Sequence, residues 1–165
     1  MEQLAWSDIE TDGMNEKEYL EKFADKEEVV QNYTDYEPKK DVIEKIKEKL
    51  ISKDERLKIL SIGAAWCPDC IRNLPYAIKI RENLGQLVKD FKIIYGVKVD
   101  PYKKKNKERV AWSEQHSPPE ATNPKFDLKK IPIIYIFNQN GMLINRIVEN
   151  PERDTIEEDI LSFLD

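Results

Sequence analysis

The stretch Lys58-Ile59-Leu60-Ser61-Ile62-Gly63-Ala64-Ala65-Trp66-Cys67-Pro68-Asp69-Cys70 holds the only two cysteines among 165 residues, and its reading decides the fold. Leu57 to Ile62 is a short apolar run that reads as a buried strand, broken by Gly63-Ala64-Ala65. From Pro68 to about Leu84 the apolar residues Ile71, Leu74 and Ile78 recur on one helical face. The cysteines therefore stand at a strand-to-helix junction, Cys67 at the helix mouth and Cys70 one turn inside.

That placement suits redox chemistry. A thiolate is the nucleophile in disulfide exchange, and the positive end of a helix stabilises it. Cys67 reads as the exposed attacking thiol. Cys70 reads as the shielded thiol that resolves the mixed disulfide. Trp66 would lay an apolar plate beside the pair, or serve simply as core. Other readings of Cys-x-x-Cys are weaker. A structural zinc needs four ligands, and two Cys with one His (His116) would have to recruit carboxylates. An iron–sulfur cluster would have to bridge two chains. Inert thiols would sit within an apolar run instead. No metal and no cofactor is expected.

Working outward, residues 16–30 place Tyr19, Leu20, Phe23 and Val30 at roughly helical spacing and predict one amphipathic helix. Residues 39–51 predict a second, with Val42, Ile43, Ile46 and Leu50 inward and Pro38 in its first turn. Phe91 to Val99 predicts a strand, and 105–115 a helix. Ile133 to Phe137 and Met142 to Val148 predict a hairpin around Asn138-Gln139-Asn140-Gly141. A last helix should open at Asp154, with Glu157 completing a capping box, and run to Leu164. The order predicts an α/β fold with one mixed sheet flanked by helices.

Composition narrows the setting. Charged residues make up 36 %, with 21 Lys against 6 Arg, which suits an ion-paired surface. The longest apolar run, Ile131 to Phe137, is far short of the ~20 residues that span a membrane. Met1-Glu2-Gln3-Leu4 has no leader character, so a cytoplasmic address is expected, with no membrane partner. The net charge of −5 is uneven: −9 over residues 1–37 (twelve acids, three Lys), +4 over 98–130 and −6 over 149–165. Lys103-Lys104-Lys105-Asn106-Lys107 lacks interleaved aromatics and reads as a compensated face, so no nucleic acid is expected.

The sequence resembles the thioredoxin family over about residues 40–165. The resemblance rests on strand Lys58–Ile62, on Ala65-Trp66-Cys67-Pro68-Asp69-Cys70, on Pro75 eight residues after Cys67, and on Lys130-Ile131-Pro132 entering a strand. It implies a thioredoxin-like fold in a single domain: an N-terminal helical extension (1–53) and a core (54–165) with an insertion (102–130) before the cis-proline strand. It implies a cis Ile131–Pro132 bond that brings the loop against the dithiol, with Trp66, Ile131 and Pro132 contacting substrate. The implied activity is thiol–disulfide exchange: reduction of a protein or small-molecule disulfide, with an unidentified reductase restoring the dithiol. A thiol peroxidase and a redox-sensing, partner-binding module are the alternatives.

Four departures bear on that reading. Pro68 and Asp69 replace the Gly-Pro of plain thioredoxins. Pro68 lacks a donor and the Asp69 carboxylate opposes a thiolate, so the pair should tune the site toward a reductant; the pentapeptide resembles that of cytosolic thioredoxin-related proteins that reduce selected disulfides. The family's buried aspartate falls at Ser61 and its partner lysine at Gly96. A glycine of the family's docking surface falls at Glu149. Cys67 and Pro132 are 65 residues apart, roughly twenty more than in a compact thioredoxin, and the surplus offers Trp112 and His116 as substrate contacts.

Overall fold

The computed structural model describes residues 3–103 and 110–165. Leu57–Ile62 forms β1 and Val88–Ile94 forms β2, paired in parallel. Ile133–Asn138 (β3) runs antiparallel to β1, and Leu143–Val148 (β4) antiparallel to β3. The strand order is β2-β1-β3-β4. The central strands β1 and β3 are buried almost throughout, whereas the edge strand β4 is largely half-buried or exposed. The expected mixed sheet is therefore present, with the expected hairpin turning at Gly141, whose φ of +83° suits glycine.

The helix after β1, α4, runs Pro68–Leu84 as the apolar spacing predicts. Pro68 occupies its first turn, where a missing N–H costs nothing. Pro75 lies inside it and has no N–H to offer the Ile71 carbonyl four residues back. That carbonyl finds its donor elsewhere: Asn32 Nδ2 reaches it at 3.1 Å from the N-terminal region.

The N-terminal region departs from the expected single helix. It forms α1 (Glu16–Lys22) and α2 (Glu27–Asp35), separated by a turn that starts at Phe23. The reason lies in the phase of the apolar residues. A helix continuing inward from Tyr19 would bury Lys26 and Glu27, so the chain turns and restarts, bringing Val29 inside and leaving Val30 exposed. Asn15 caps α1 with a reciprocal Glu18 bond. Helix α3 (Lys40–Ser52) buries Val42, Ile43, Ile46 and Leu50 as expected, but Pro38 sits ahead of its cap, Lys39, not in the first turn.

The last helix, α5 (Ile156–Ser162), is capped by Thr155 and not by Asp154. Glu157 is unavailable for a capping box because it is buried under α2 and α3. It accepts the Tyr36 hydroxyl and the Lys39 N–H, the latter at 2.7 Å. Glu158 takes the capping position, its N–H donating to Thr155 Oγ1 at 3.2 Å.

Strand β2 stops at Ile94 and does not continue to Val99. Gly63 N–H closes the ladder on the Ile94 carbonyl at 3.0 Å, and Gly96, at φ +100°, turns the chain. Beyond the turn the chain pairs with the insertion: Ser113 N–H donates to Lys98 O and Asp100 N–H to Ala111 O, and Val99 bridges Trp112. The expected helix over 105–115 is thus contradicted at 110–113, which is extended; its residues 105–109, and most of the lysine-rich stretch, lie outside the described residues. Buried Glu120 in turn accepts Glu10 N, Thr11 N and Thr11 Oγ1 at 2.6–2.9 Å, binding the N-terminal segment to the insertion. No helix among the described residues is long and apolar enough to cross a membrane.

Asn32→Ala removes the donor to the carbonyl that Pro75 leaves open and should lower unfolding free energy by about 1 kcal/mol. Restoring an N–H with Pro75→Ala should shrink that loss, measured by urea denaturation of the two single variants and the double. Additive effects would show that Asn32 acts independently of the proline.

Candidate functional site

Cys67 is itself the N-cap of α4. Its backbone is extended (φ −93°, ψ 117°), and its sulfur accepts the Cys70 N–H at 3.3 Å. A sulfur in this position takes the place of the usual Ser or Asp oxygen and meets one of the helix's unpaired N–H groups directly. On its other side Cys67 Sγ donates to the Ile131 carbonyl at 3.7 Å. The Ile131–Pro132 bond is cis, which turns that carbonyl toward the sulfur. Four of the residues expected at the site, Cys67, Cys70, Ile131 and Pro132, are therefore brought together from β1–α4 and from the entry to β3.

The two thiols differ in surroundings. Both are free and, against the expectation of an exposed Cys67, both are buried: the helix cap and the cis-proline loop leave Cys67 6 % of its surface exposed and Cys70 none. Cys70 Sγ lies against Gly63, where a Cβ would come within 2.7 Å of the sulfur and 3.1 Å of the Tyr95 ring. Residue 63 must be glycine for that close approach. Burial, and then the bond to Cys67, push the Cys70 thiol far above the usual thiol range. Behind it, the Tyr95 and Tyr19 hydroxyls are hydrogen-bonded at 2.9 Å, joining α1 to the end of β2. Burial holds the Tyr95 phenol well above its normal value and pushes the Tyr19 phenol up to about 12.

Ser61, at the position of the family's aspartate, is fully buried, and its hydroxyl has no partner among the described residues. Gly96, at the lysine position, is exposed and carries no charge. No carboxylate–lysine pair therefore occupies those two positions beneath Cys70.

Trp66 is 53 % exposed, and its indole N–H donates to Val97 O at 3.0 Å. It is a surface plate beside Cys67, not core. The insertion supports the segment it leans on, through Ser113 to Lys98 O and Ser117 Oγ to Lys98 O. Trp112, expected as a substrate contact, is largely buried. It is 5 % exposed and its indole N–H donates to Leu128 O at 2.5 Å, so it anchors the insertion. His116 is exposed on that insertion, its backbone N–H held by Ser113 Oγ.

Pro68 is exposed at the helix mouth, and Asp69 is half-buried beside it. Asp69 does not face the thiols alone: Arg72 Nη2 binds its carboxylate at 2.5 Å. Glu149 adopts φ +62°, the region a glycine favours. Its N–H donates to Pro132 O at 2.7 Å and its carboxylate pairs with Lys130 at 3.5 Å. Asn73 and Asn150 complete this side of the site, Asn73 Nδ2 reaching Glu149 O at 2.7 Å. Sequence reading passes over Arg72, Asn73 and Asn150. The spacing of Asp69 and Arg72, three apart on a helix, is the one signal that could have found any of them.

Residues 13–93 match the thioredoxin family, from the approach to α1 to the penultimate residue of β2, with the dithiol and Pro75 inside the match. The chain has a thioredoxin-like fold. Two solved structures share the fold of this thioredoxin-like chain. One is a protein of unknown function from Pseudomonas aeruginosa, 16 % identical, with a TM-score of 0.58 over 91 % of this chain and 80 % of that one. The other is an HIV epitope scaffold, 17 % identical, with a TM-score of 0.59 over 97 % of this chain and 87 % of that one. At these identities the likeness establishes fold alone. No curated protein matches the sequence.

The raised Cys70 thiol gives a pH dependence of definite sign. With one thionitrobenzoate placed on Cys67, its displacement by Cys70 needs the Cys70 thiolate, whose fraction grows about tenfold per pH unit below the thiol's pKa. Release of thionitrobenzoate should therefore rise steadily from about pH 6 to 9 without reaching a plateau. A plateau near neutrality would contradict the buried, charge-disfavouring setting of Cys70.

Proposed function

We propose that this thioredoxin-like protein is a thiol–disulfide oxidoreductase that reduces substrate disulfides through Cys67 and Cys70. The observation that carries the reading is the asymmetry of the pair. One sulfur caps a helix beside a cis-proline carbonyl and keeps a small exposed remnant, and the other is fully buried one turn below it.

The Cys67 thiolate attacks one sulfur of the substrate disulfide, forming a mixed disulfide and releasing the first substrate sulfur as a thiolate. Cys70 loses its proton and attacks Cys67 Sγ, forming the Cys67–Cys70 disulfide and releasing the second substrate thiolate. Two electrons pass to the substrate, and an unidentified reductase returns them. Ser61 and Gly96 supply no base beneath Cys70, so its proton passes to water or to the Asp69 carboxylate. The backbone beside Pro132 and the exposed Trp66 face fit an extended segment that bears the disulfide. The proposed setting is the cytoplasm, two cysteines three apart being too few for the disulfide framework of a secreted protein.

A thiol peroxidase finds less support, since no arginine or threonine reaches Cys67 Sγ among its bonds to described residues. Cys70→Ser should accumulate mixed disulfides with substrate proteins on non-reducing gels, while Cys67→Ser should not. Equal trapping by both variants, or by neither, would contradict the assigned roles.

A further inference from the structure

The Asp69 carboxylate is the least expected group at the site. It lies in the first turn of α4, where it competes with a Cys67 thiolate for the positive end of the helix. Its charge also adds to the factors that raise Cys70, the last of those that do so. An uncompensated acid between two thiols would oppose the ionisation that exchange needs.

The structure supplies the compensation. Arg72 Nη2 binds Asp69 Oδ1 at 2.5 Å, and the same nitrogen donates to Asn150 Oδ1 at 2.6 Å. Asn150 Oδ1 also accepts Asn73 Nδ2 at 3.0 Å, and Asn73, itself buried, donates onward to Glu149 O. Glu149 N–H then binds Pro132 O, next to the Ile131 carbonyl that faces Cys67 Sγ. The guanidinium is thus fixed at a shared acceptor on the turn that carries the cis-proline contact. A pair this exposed, with side chains 43 % and 31 % accessible, contributes little to stability. Its effect is on the local potential.

We infer that Arg72 is a positioning residue of the dithiol, which cancels the Asp69 charge beside Cys67 and ties the cancelled pair to the cis-proline turn. The inference rests on Cys67 being the reactive thiol of the pair. It does not require that the protein turn over any particular substrate.

The other charged and titratable groups around the site are already committed. Lys130 pairs with Glu149 on the cis-proline side, and Arg153 with Asp159 beyond Asn150. Tyr95 and Tyr19 bind each other behind Cys70. Asp154 lines the cleft beside Arg72 and interacts electrostatically with Lys39. Removing Arg72 therefore leaves Asp69 facing the thiols with no described cation bonded to it.

The test is the pH profile of iodoacetamide alkylation of the reduced protein, which Cys67 dominates because Cys70 is sealed. Arg72→Met should move the half-maximal pH up by about half a unit, and Asp69→Asn should move it down by a similar amount. The double variant should return to within about 0.2 units of the parent, since both charges are gone. Arg72→Lys should keep most of the compensation. A merely structural Arg72 would not produce opposite shifts that cancel. An unmoved profile in Arg72→Met, or a double variant no closer to the parent than Arg72→Met, would overturn the inference. Asp69→Asn removes no packed carbon and keeps the sign test available if Arg72→Met folds poorly. Failure of the Cys70→Ser trap with these shifts intact would overturn the proposed function and leave this inference standing.

Discussion

The hydrogen bond from the Cys70 N–H to the Cys67 sulfur is the constraint around which the site is arranged. It makes Cys67 a structural element of its own helix. Whatever orients the start of α4 therefore orients that sulfur, and whatever packs α4 sets how Cys70 is buried. Gly63 lets β1 approach Cys70 closely, the cis-proline turn presents a carbonyl to Cys67, and Asn73 joins the helix to the turn at 149–150, whose Glu149 N–H binds Pro132 O. Each of these contacts is local, and together they leave the two sulfurs little freedom to exchange roles.

The N-terminal region is bound to the same helix. Asn32 satisfies the carbonyl that Pro75 leaves open, the Tyr33 hydroxyl binds Glu82, and Tyr36 stacks on Tyr76 at 3.9 Å. Tyr19 closes the back of the Cys70 environment through Tyr95. The segment least interpretable from composition thus proves to be packed against α4 and the thiol pocket. The insertion is bound through Trp112 to the strand-like segment that carries the Trp66 contact. Both segments thus pack on elements that carry the dithiol or its neighbours.

Much of this was legible in the sequence. The bounds of β1 and α4 follow from an apolar run, a glycine break and a helical stripe, all of them local signals. The cis-proline and the hairpin follow from resemblance and turn chemistry. What escaped depended on partners distant in sequence. The first helix splits because Lys26 and Glu27 would otherwise be buried, a phase conflict visible only once the inward face is known. The α5 cap moves to Thr155 because Tyr36 and Lys39, some 120 residues earlier, claim Glu157. Strand β2 ends early because residues 98–100 find partners at 111–113. Trp112 looked available for substrate because a lone tryptophan carries no mark of which face it will occupy. At the site, the thiols were plain from spacing, while the Arg72–Asn150–Asn73 linkage joins α4 to a turn some 75 residues away.

The central claim is that this dithiol gives electrons to substrates. The reduction potential of the Cys67–Cys70 couple, set against a glutathione redox buffer, tests it most directly. A reductant should lie near the thioredoxin value of about −270 mV. A value near about −120 mV, that of a strong oxidant, would contradict the account.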